Sequence, residues 1–393
     1  MLRRLLLALL MFAAIAAVVV LSIGADVADR SMNHVTSPPP YTASPAAESL
    51  LRRLSVVDLH SDALLWPRDP LVRHSQGHVD LPRLADGHYA LQVFSVVTKT
   101  PRGINYDRNS DETDNITLLG IAEHYPLRAW FSLRERARWQ AKRLDDAAAR
   151  SPDPQGHTLR VIRSRTELAT LLADRASGRA VIGAILATEG LHPIEGQLAN
   201  LDSLVASGFR MFGFTHFFDN EVGGSAHGVT KGGLTPLGRA VVAHLDSLGL
   251  LIDLAHASPA LVDDILALTR RPVVVSHGGV RGTCPGPRNL TDDQLRRIAA
   301  GGGLVGIGYW DGAICEVTAA AFARAVVYTI GVAGEDHIAL GSDFDGSTTT
   351  PFDASGMGLV AQALLEGGLT DDQVAKVMGG NALHFFARAL PER

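Results

Sequence analysis

His60 and Asp62 stand two residues apart within the segment Val56–Leu65, VVDLHSDALL, where an apolar run ends. In a β-strand, residues i and i+2 share a face. At the strand's end that face is an open mouth, so an imidazole and a carboxylate converge there. That pair suits a divalent metal such as zinc. A single His-x-Asp is also what a polar turn after a strand looks like, and recurrence decides between the two. Glu189 follows Val181–Ala187, His216 follows Arg210–Phe214, and His256 follows Leu250–Leu254. His277 follows Pro272–Ser276, and Asp343 follows Ile338–Gly341. Six apolar runs therefore end in a residue able to bind metal or move protons.

Two further runs, Ala90–Val97 and Gly303–Tyr309, complete a set of eight. Amphipathic helical patterns separate them, near Leu198–Ser207, Pro236–Leu248, Pro259–Thr269, Asp292–Ala300 and Ala319–Ile330. Ser258 caps one of these, with Pro259 at the first position, where its missing N–H costs nothing. Thr291 caps another, with acidic residues in the first turn. Strand–helix alternation implies a parallel sheet, and eight repeats imply an α/β fold of the closed (β/α)8 barrel type. Such barrels carry their active sites at the C-terminal ends of the strands, where these residues fall. The segment Thr100–Thr166 breaks the repeat as a long insertion after the second strand. Ile116–Arg150 reads as helical, and its charged run RERARWQAKRLDDAAAR as a solvated face. Final helices are expected near Leu359–Glu366 and Asp371–Leu390.

A chain of 393 residues that is 46% hydrophobic can bury a large core. Its formal charge is −5, with no basic stripe, which argues against nucleic acid as a partner. Arg3 and Arg4 precede the apolar run Leu5–Ile23, the order of a secretory signal. That run is long for a cleaved signal and close to membrane-spanning length. Residues 1–25 therefore read either as a signal peptide, cleaved after Ala25, or as an N-terminal membrane anchor. Both place the rest outside the cytoplasm, on a periplasmic or extracellular face. Residues 26–49, rich in Pro, Ser and Ala, read as a flexible tether. Residues 50–390 read as the barrel domain. Export makes a disulfide feasible between the only two cysteines, Cys284 and Cys315, which follow the sixth and seventh strands.

With these motifs together, the chain resembles the membrane dipeptidases (renal-dipeptidase-like), a branch of the metal-dependent amidohydrolase superfamily. The likeness runs from about Leu54 to Phe386. It rests on His60-x-Asp62, His78–Leu84 (HVDLPRL), Gln92–Val96 (QVFSV), Glu189–Gly190 and Thr215–Asn220. It rests also on Asp253–His256 (DLAH), Ser276–Asn289 (SHGGVRGTCPGPRN) and Gly341–Gly346 (GSDFDG). The resemblance implies two zinc ions per chain: His60 and Asp62 on one, His256 and His277 on the other, and Glu189 bridging. It implies that His216 and Arg288 contact the substrate, that Asp343 exchanges protons with a bridging water, and that Cys284 and Cys315 are paired. It also implies dipeptides as substrates, with a D-residue tolerated at the C-terminal position, and a homodimer.

Elementary chemistry runs parallel to this assignment. Two cations a few ångströms apart repel unless a carboxylate lies between them, and Glu189 is the one glutamate among the six strand-end residues. A water between two cations loses its proton near neutral pH. His216 can donate to a tetrahedral oxyanion, and Asp343 can act as general base and then acid. Arg288, eleven positions beyond His277, can hold a substrate carboxylate. Related hydrolases of N-acyl amino acids, β-lactams or lactones would use the same residues, and a non-catalytic barrel is the third reading. Asp253, Asp345 and the histidines at 78, 88, 124, 157, 192, 227, 244, 337 and 384 read as structural.

Overall fold

The computed structural model describes residues 1–392; the side chains of residues 8, 10, 13–20 and 22 lie outside that description. Each apolar run forms a strand where it was expected. These are β1 Val56–Ser61, β2 Tyr89–Val97, β3 Val181–Glu189, β4 Phe209–Gly213, β5 Leu251–Asp253, β6 Val274–Val275, β7 Leu304–Ile307 and β8 Ile338–Leu340. Neighbours pair in parallel. β2 lies directly against β3, from Leu91 on Gly183 to Val97 on Glu189, and β8 returns to β1 through Leu340 and Asp58. The sheet thus closes into an eight-stranded barrel.

Alternation along the strands sorts the core into two layers. In β3, Ile182, Ala184 and Leu186 pack outwards with the surrounding helices, while Ile185 and Ala187 join a second cluster. That cluster holds Val57, Leu91, Met211 and Leu304, together with Phe385 and Phe386 of the C-terminal helix. Helices begin where the capping residues stand. The Ser258 hydroxyl accepts from the Leu261 N–H at the head of Pro259–Leu268. Thr291 and Gln294 form a reciprocal capping box at the head of Asp292–Ala300.

Four features differ from expectation. The strand Thr158–Val161, inside the insertion, adds beside the first half of β3. The final helix is interrupted by a π-turn at Lys376–Gly380, where the Gly379 backbone lies against the Ser55 carbonyl too closely for any side chain. The helix Leu133–Arg150 is not charged towards solvent all round. Arg136 is buried and bonds the Ala129 carbonyl and Asp114, and Arg143 donates to the Leu64 carbonyl. Guanidinium groups with several donors satisfy loop carbonyls that would otherwise be orphaned.

The fourth difference is the segment 26–49, which is folded rather than a tether. The helix Leu2–Met32 ends against the barrel, and His34–Val35 pairs in parallel with Thr349–Thr350. Pro45–Leu51 is helical, with Ala47, Leu50 and Leu51 buried. The cause is a set of single long-range contacts, chief among them fully buried Asp29, 2.9 Å from the Arg68 guanidinium. Among the described residues no helix is long and apolar enough to cross a membrane. The run Leu5–Ile23, read as signal or anchor, falls largely on side chains outside the description.

Cys284 and Cys315 are bonded, with Cα atoms 5.4 Å apart across 31 residues of chain. The loop carrying Arg288 is thereby tied to the loop after β7. Replacing both cysteines with serine is expected to lower the unfolding free energy by about 3 kcal/mol, read from the urea midpoint at constant slope. An unshifted midpoint would mean that the tie carries no stability.

Candidate active site

The strand ends of the barrel converge on one carboxylate. Around Glu189 Oε1 stand four imidazole Nε2 atoms: His256 at 2.9 Å, His216 and His277 each at 3.4 Å, and His60 at 3.7 Å. His60 Nε2 also lies 3.5 Å from Asp62 Oδ2 and 3.9 Å from Asp343 Oδ1. Three groups of donors are close enough to share an ion: His60–Glu189–His277, Glu189–His216–His256 and His60–Asp62–Asp343. All seven residues are buried. The structure therefore brings together every strand-end residue singled out from sequence. It places His216, expected to face substrate alone, as near the central carboxylate as His277.

Backbone geometry shapes these ends. His256 and Asp343 both adopt left-handed conformations, with φ of 61° and 58°. Such strain in non-glycine residues costs about 1–3 kcal/mol and persists only where the surroundings enforce it. Thr215 and the Ala226 N–H both bond the His256 carbonyl. The Thr348 hydroxyl and the Gly346 N–H bond the Asp343 carbonyl. Gly346 must lack a side chain, because a Cβ there would strike the Asp343 carboxylate.

A polar relay behind His277 sets its tautomer. Ser276 Oγ lies 2.9 Å from His277 Nδ1 and donates to Asp253 Oδ2 at 2.6 Å. With the serine proton given to Asp253, His277 Nδ1–H donates to Ser276 Oγ, leaving the Nε2 lone pair facing Glu189. Asp253 thus has the structural role expected of it. Asp345 accepts the His78 and Val79 N–H groups and pairs with Arg68 at 2.7 Å.

Charge in the cluster is resolved by protons. Burial pushes the Glu189 carboxyl well above the usual carboxylate range, and Asp62 adds to the rise. Burial pushes Asp343 up to about 8, opposed by His60 and aided by Asp62. Burial holds His216, His256 and His277 well below the ordinary imidazole range, with Arg288 adding to the effect. For His60 burial acts downwards, yet Asp62, Glu189 and Asp343 outweigh it and raise the group to about 10. His60 Nε2, Asp62 Oδ1 and Glu189 Oε2 are buried with no hydrogen-bond partner. Orphaned donor atoms aimed at a common centre are costly unless something fills it. With a metal in place of the His60 proton, the imidazoles and carboxylates sharing that centre are a donor set for divalent cations. The residues fit a metal centre.

A cavity of about 760 Å3 opens above. Asp62, Glu189, His216, His256, Arg288 and Asp343 line it, while His60 and His277 lie beneath. Arg288 donates to the His277 carbonyl at 3.1 Å and sits 5.8 Å over the Trp310 ring; its Nε has no partner. Tyr106 and Trp310, joined through the indole N–H at 3.1 Å, also line the cavity. Sequence reasoning missed both, along with Phe217 and the end of the N-terminal helix. Tyr106 lies in a coil of the insertion with no periodic pattern to mark it. Trp310 directly follows the seventh apolar run, a position that could have drawn notice.

Comparison with known proteins places these features. Residues 45–390 match the model of a family described as membrane dipeptidase, peptidase family M19. Dipeptidase aclJ of Aspergillus oryzae is 29% identical over 363 residues, spanning 86% of this chain and 78% of that one. A metallo peptidase from Rhodobacter sphaeroides, solved with a phosphinate mimic of the dipeptide L-Ala-D-Ala, is 25% identical. Its TM-score is 0.66, over 86% of this chain and 99% of that one. The probable dipeptidase PvdM of Pseudomonas aeruginosa superposes with a TM-score of 0.72 at 19% identity, covering 88% and 98%. The last likeness speaks for the fold.

Proposed function

Because the chain belongs to the membrane dipeptidase family, peptidase family M19, we propose that it is a two-zinc dipeptidase acting outside the cytoplasm. The observation that carries this reading is the ring of four imidazoles around Glu189, with orphaned donor atoms at its centre. His60 and Asp62 would hold one ion, His256 and His277 the other, and Glu189 would give one oxygen to each. Bound there, divalent cations supply Lewis acidity and an acidified water.

The chain's own groups do the rest. The Arg288 guanidinium, anchored through Nη2 on the His277 carbonyl, would pair with the C-terminal carboxylate of a dipeptide. That anchors the scissile amide over the Glu189 cluster and limits substrate length on that side. His216, neutral and on the cavity wall, turns an N–H towards the amide oxygen as negative charge develops. Asp343 takes the proton of the attacking water and passes it to the leaving amine. The C-terminal residue of the dipeptide would lie beside Trp310 and Tyr106, on the Arg288 side of the cavity. A D-residue there belongs to the same proposal. The Cys284–Cys315 bond supports an oxidising compartment.

The test is a substrate panel: L-Ala–L-Ala, L-Ala–D-Ala, the N-acetyl and C-terminal amide forms, and Ala-Ala-Ala. Hydrolysis confined to the free dipeptides is expected. Turnover of N-acyl amino acids, β-lactams or lactones in their place would transfer the same site to another amide or ester. Replacing Arg288 with Lys is expected to raise KM about tenfold, the loss of a bidentate contact, with kcat changed far less. An unchanged KM would remove the carboxylate clamp from the account.

A further inference from the structure

We propose that the N-terminal segment from Ala25 to Val35 is a wall of the active site and sets a preference for dipeptides whose amino-terminal residue is large and apolar. The inference rests on the dipeptidase reading above and names the substrate class within it.

The segment is built into the site by specific contacts. Asp29, wholly buried, pairs with Arg68, and the same guanidinium pairs with Asp345 in the loop that carries Asp343. Asn33 donates to Asp29 Oδ1 at 2.8 Å and accepts the Ser347 N–H at 3.0 Å. The His34–Val35 strand then pairs with Thr349–Thr350. A buried ion pair with hydrogen bonds on its free atoms is costly to break, so this end of the helix has a fixed place.

What it presents to the cavity is apolar: Ala25, Ala28 and Met32, facing Trp66, Ile116 and Leu119. Barrel order gives the direction. This wall stands over the loops after β8, β1 and β2, whereas Arg288 rises from the loop after β6, across the mouth. A dipeptide whose carboxylate is on Arg288 therefore directs its amino-terminal residue towards the wall. The volume, about 760 Å3, falls in the range that encloses a drug-sized ligand, and two alanines would leave most of it empty. An unbranched apolar side chain fills it.

The experiment uses the full chain and a series Xaa-Ala in which Xaa is alanine, norvaline, norleucine or 2-aminooctanoic acid. Each methylene buried is worth about a fourfold gain in kcat/KM until the wall is reached. Replacing Ala28 with Phe, which occupies the space, is expected to cut the ratio of kcat/KM for the longest member to that for Ala-Ala by about tenfold or more. A flat series in the unaltered chain overturns the proposal, and so does a folded A28F variant that keeps the parental ratio. The series itself needs no variant, so a misfolded A28F leaves that test standing. Binding of the same dipeptides, read by thermal stabilisation, separates the two claims. A chain-length gradient in binding without turnover keeps the wall and removes the dipeptidase reading. Turnover without a gradient does the reverse.

Discussion

Replacing Glu189 with glutamine is expected to lower dipeptide hydrolysis by about a thousandfold or more, some 4 kcal/mol of transition-state stabilisation, while the chain still folds. Glu189 Oε1 is the point on which four imidazoles converge, and Oε2 has no partner. Only a carboxylate offers an equivalent oxygen to each of two cations; an amide has one acceptor and a pair of donors. Without metal the exchange is mild, because burial already favours the neutral form of the Glu189 carboxyl, which glutamine imitates. The loss therefore appears in the metal-dependent part of stability. The parent should gain about 2.7 kcal/mol from zinc at a hundred times its dissociation constant, and E189Q should gain much less at the same concentration. Parallel measurement of kcat/KM, bound metal and zinc-induced thermal shift checks this. A variant that keeps both its metal and its rate would show that the carboxylate is a spectator.

Replacing Asp343 with asparagine is expected to reduce kcat by about 10²–10⁴-fold, the usual worth of a positioned acid–base group. Bound metal and KM should be close to those of the parent. Asparagine tolerates the left-handed backbone found at this position. The loop's bonds to the residue 343 carbonyl do not involve the side chain, so the fold should survive. What disappears is the proton acceptor on the cavity wall. The nearby His60–Asp62–Asp343 grouping supplies the competing account, in which Asp343 is itself a ligand. Activity lost in step with metal would favour that account, and activity lost from a fully loaded protein would favour the proton shuttle.

The barrel and the cluster were legible in the sequence for one physical reason. A parallel strand buried on both faces is an apolar run, and a polar residue directly after it must lie at the barrel mouth. His60, Glu189, His216, His256, His277 and Asp343 each follow that rule. Cap chemistry was equally local, as at Ser258 and Thr291. What escaped was built from single contacts between distant parts of the chain. Asp29 meeting Arg68 leaves no periodic trace, so residues 26–49 looked like a polar tether although a helix end, a short strand and a second helix within them are folded against the barrel. Arg136 sits in a charged run whose composition suggests solvent, yet its donors satisfy a buried loop. The break at Gly379 reflects close approach to Ser55, which only the tertiary fold defines. Tyr106 reaches the cavity from a coil that carries no pattern.

Metal dependence is the property on which the two-zinc site is tested most directly. The full chain, stripped with a chelator and titrated with zinc while L-Ala–D-Ala hydrolysis is followed, should be inactive at first. It should then gain activity that saturates at about two equivalents per chain, as a two-metal site requires. Full activity in the stripped protein, or no hydrolysis with two zinc ions bound, would contradict it.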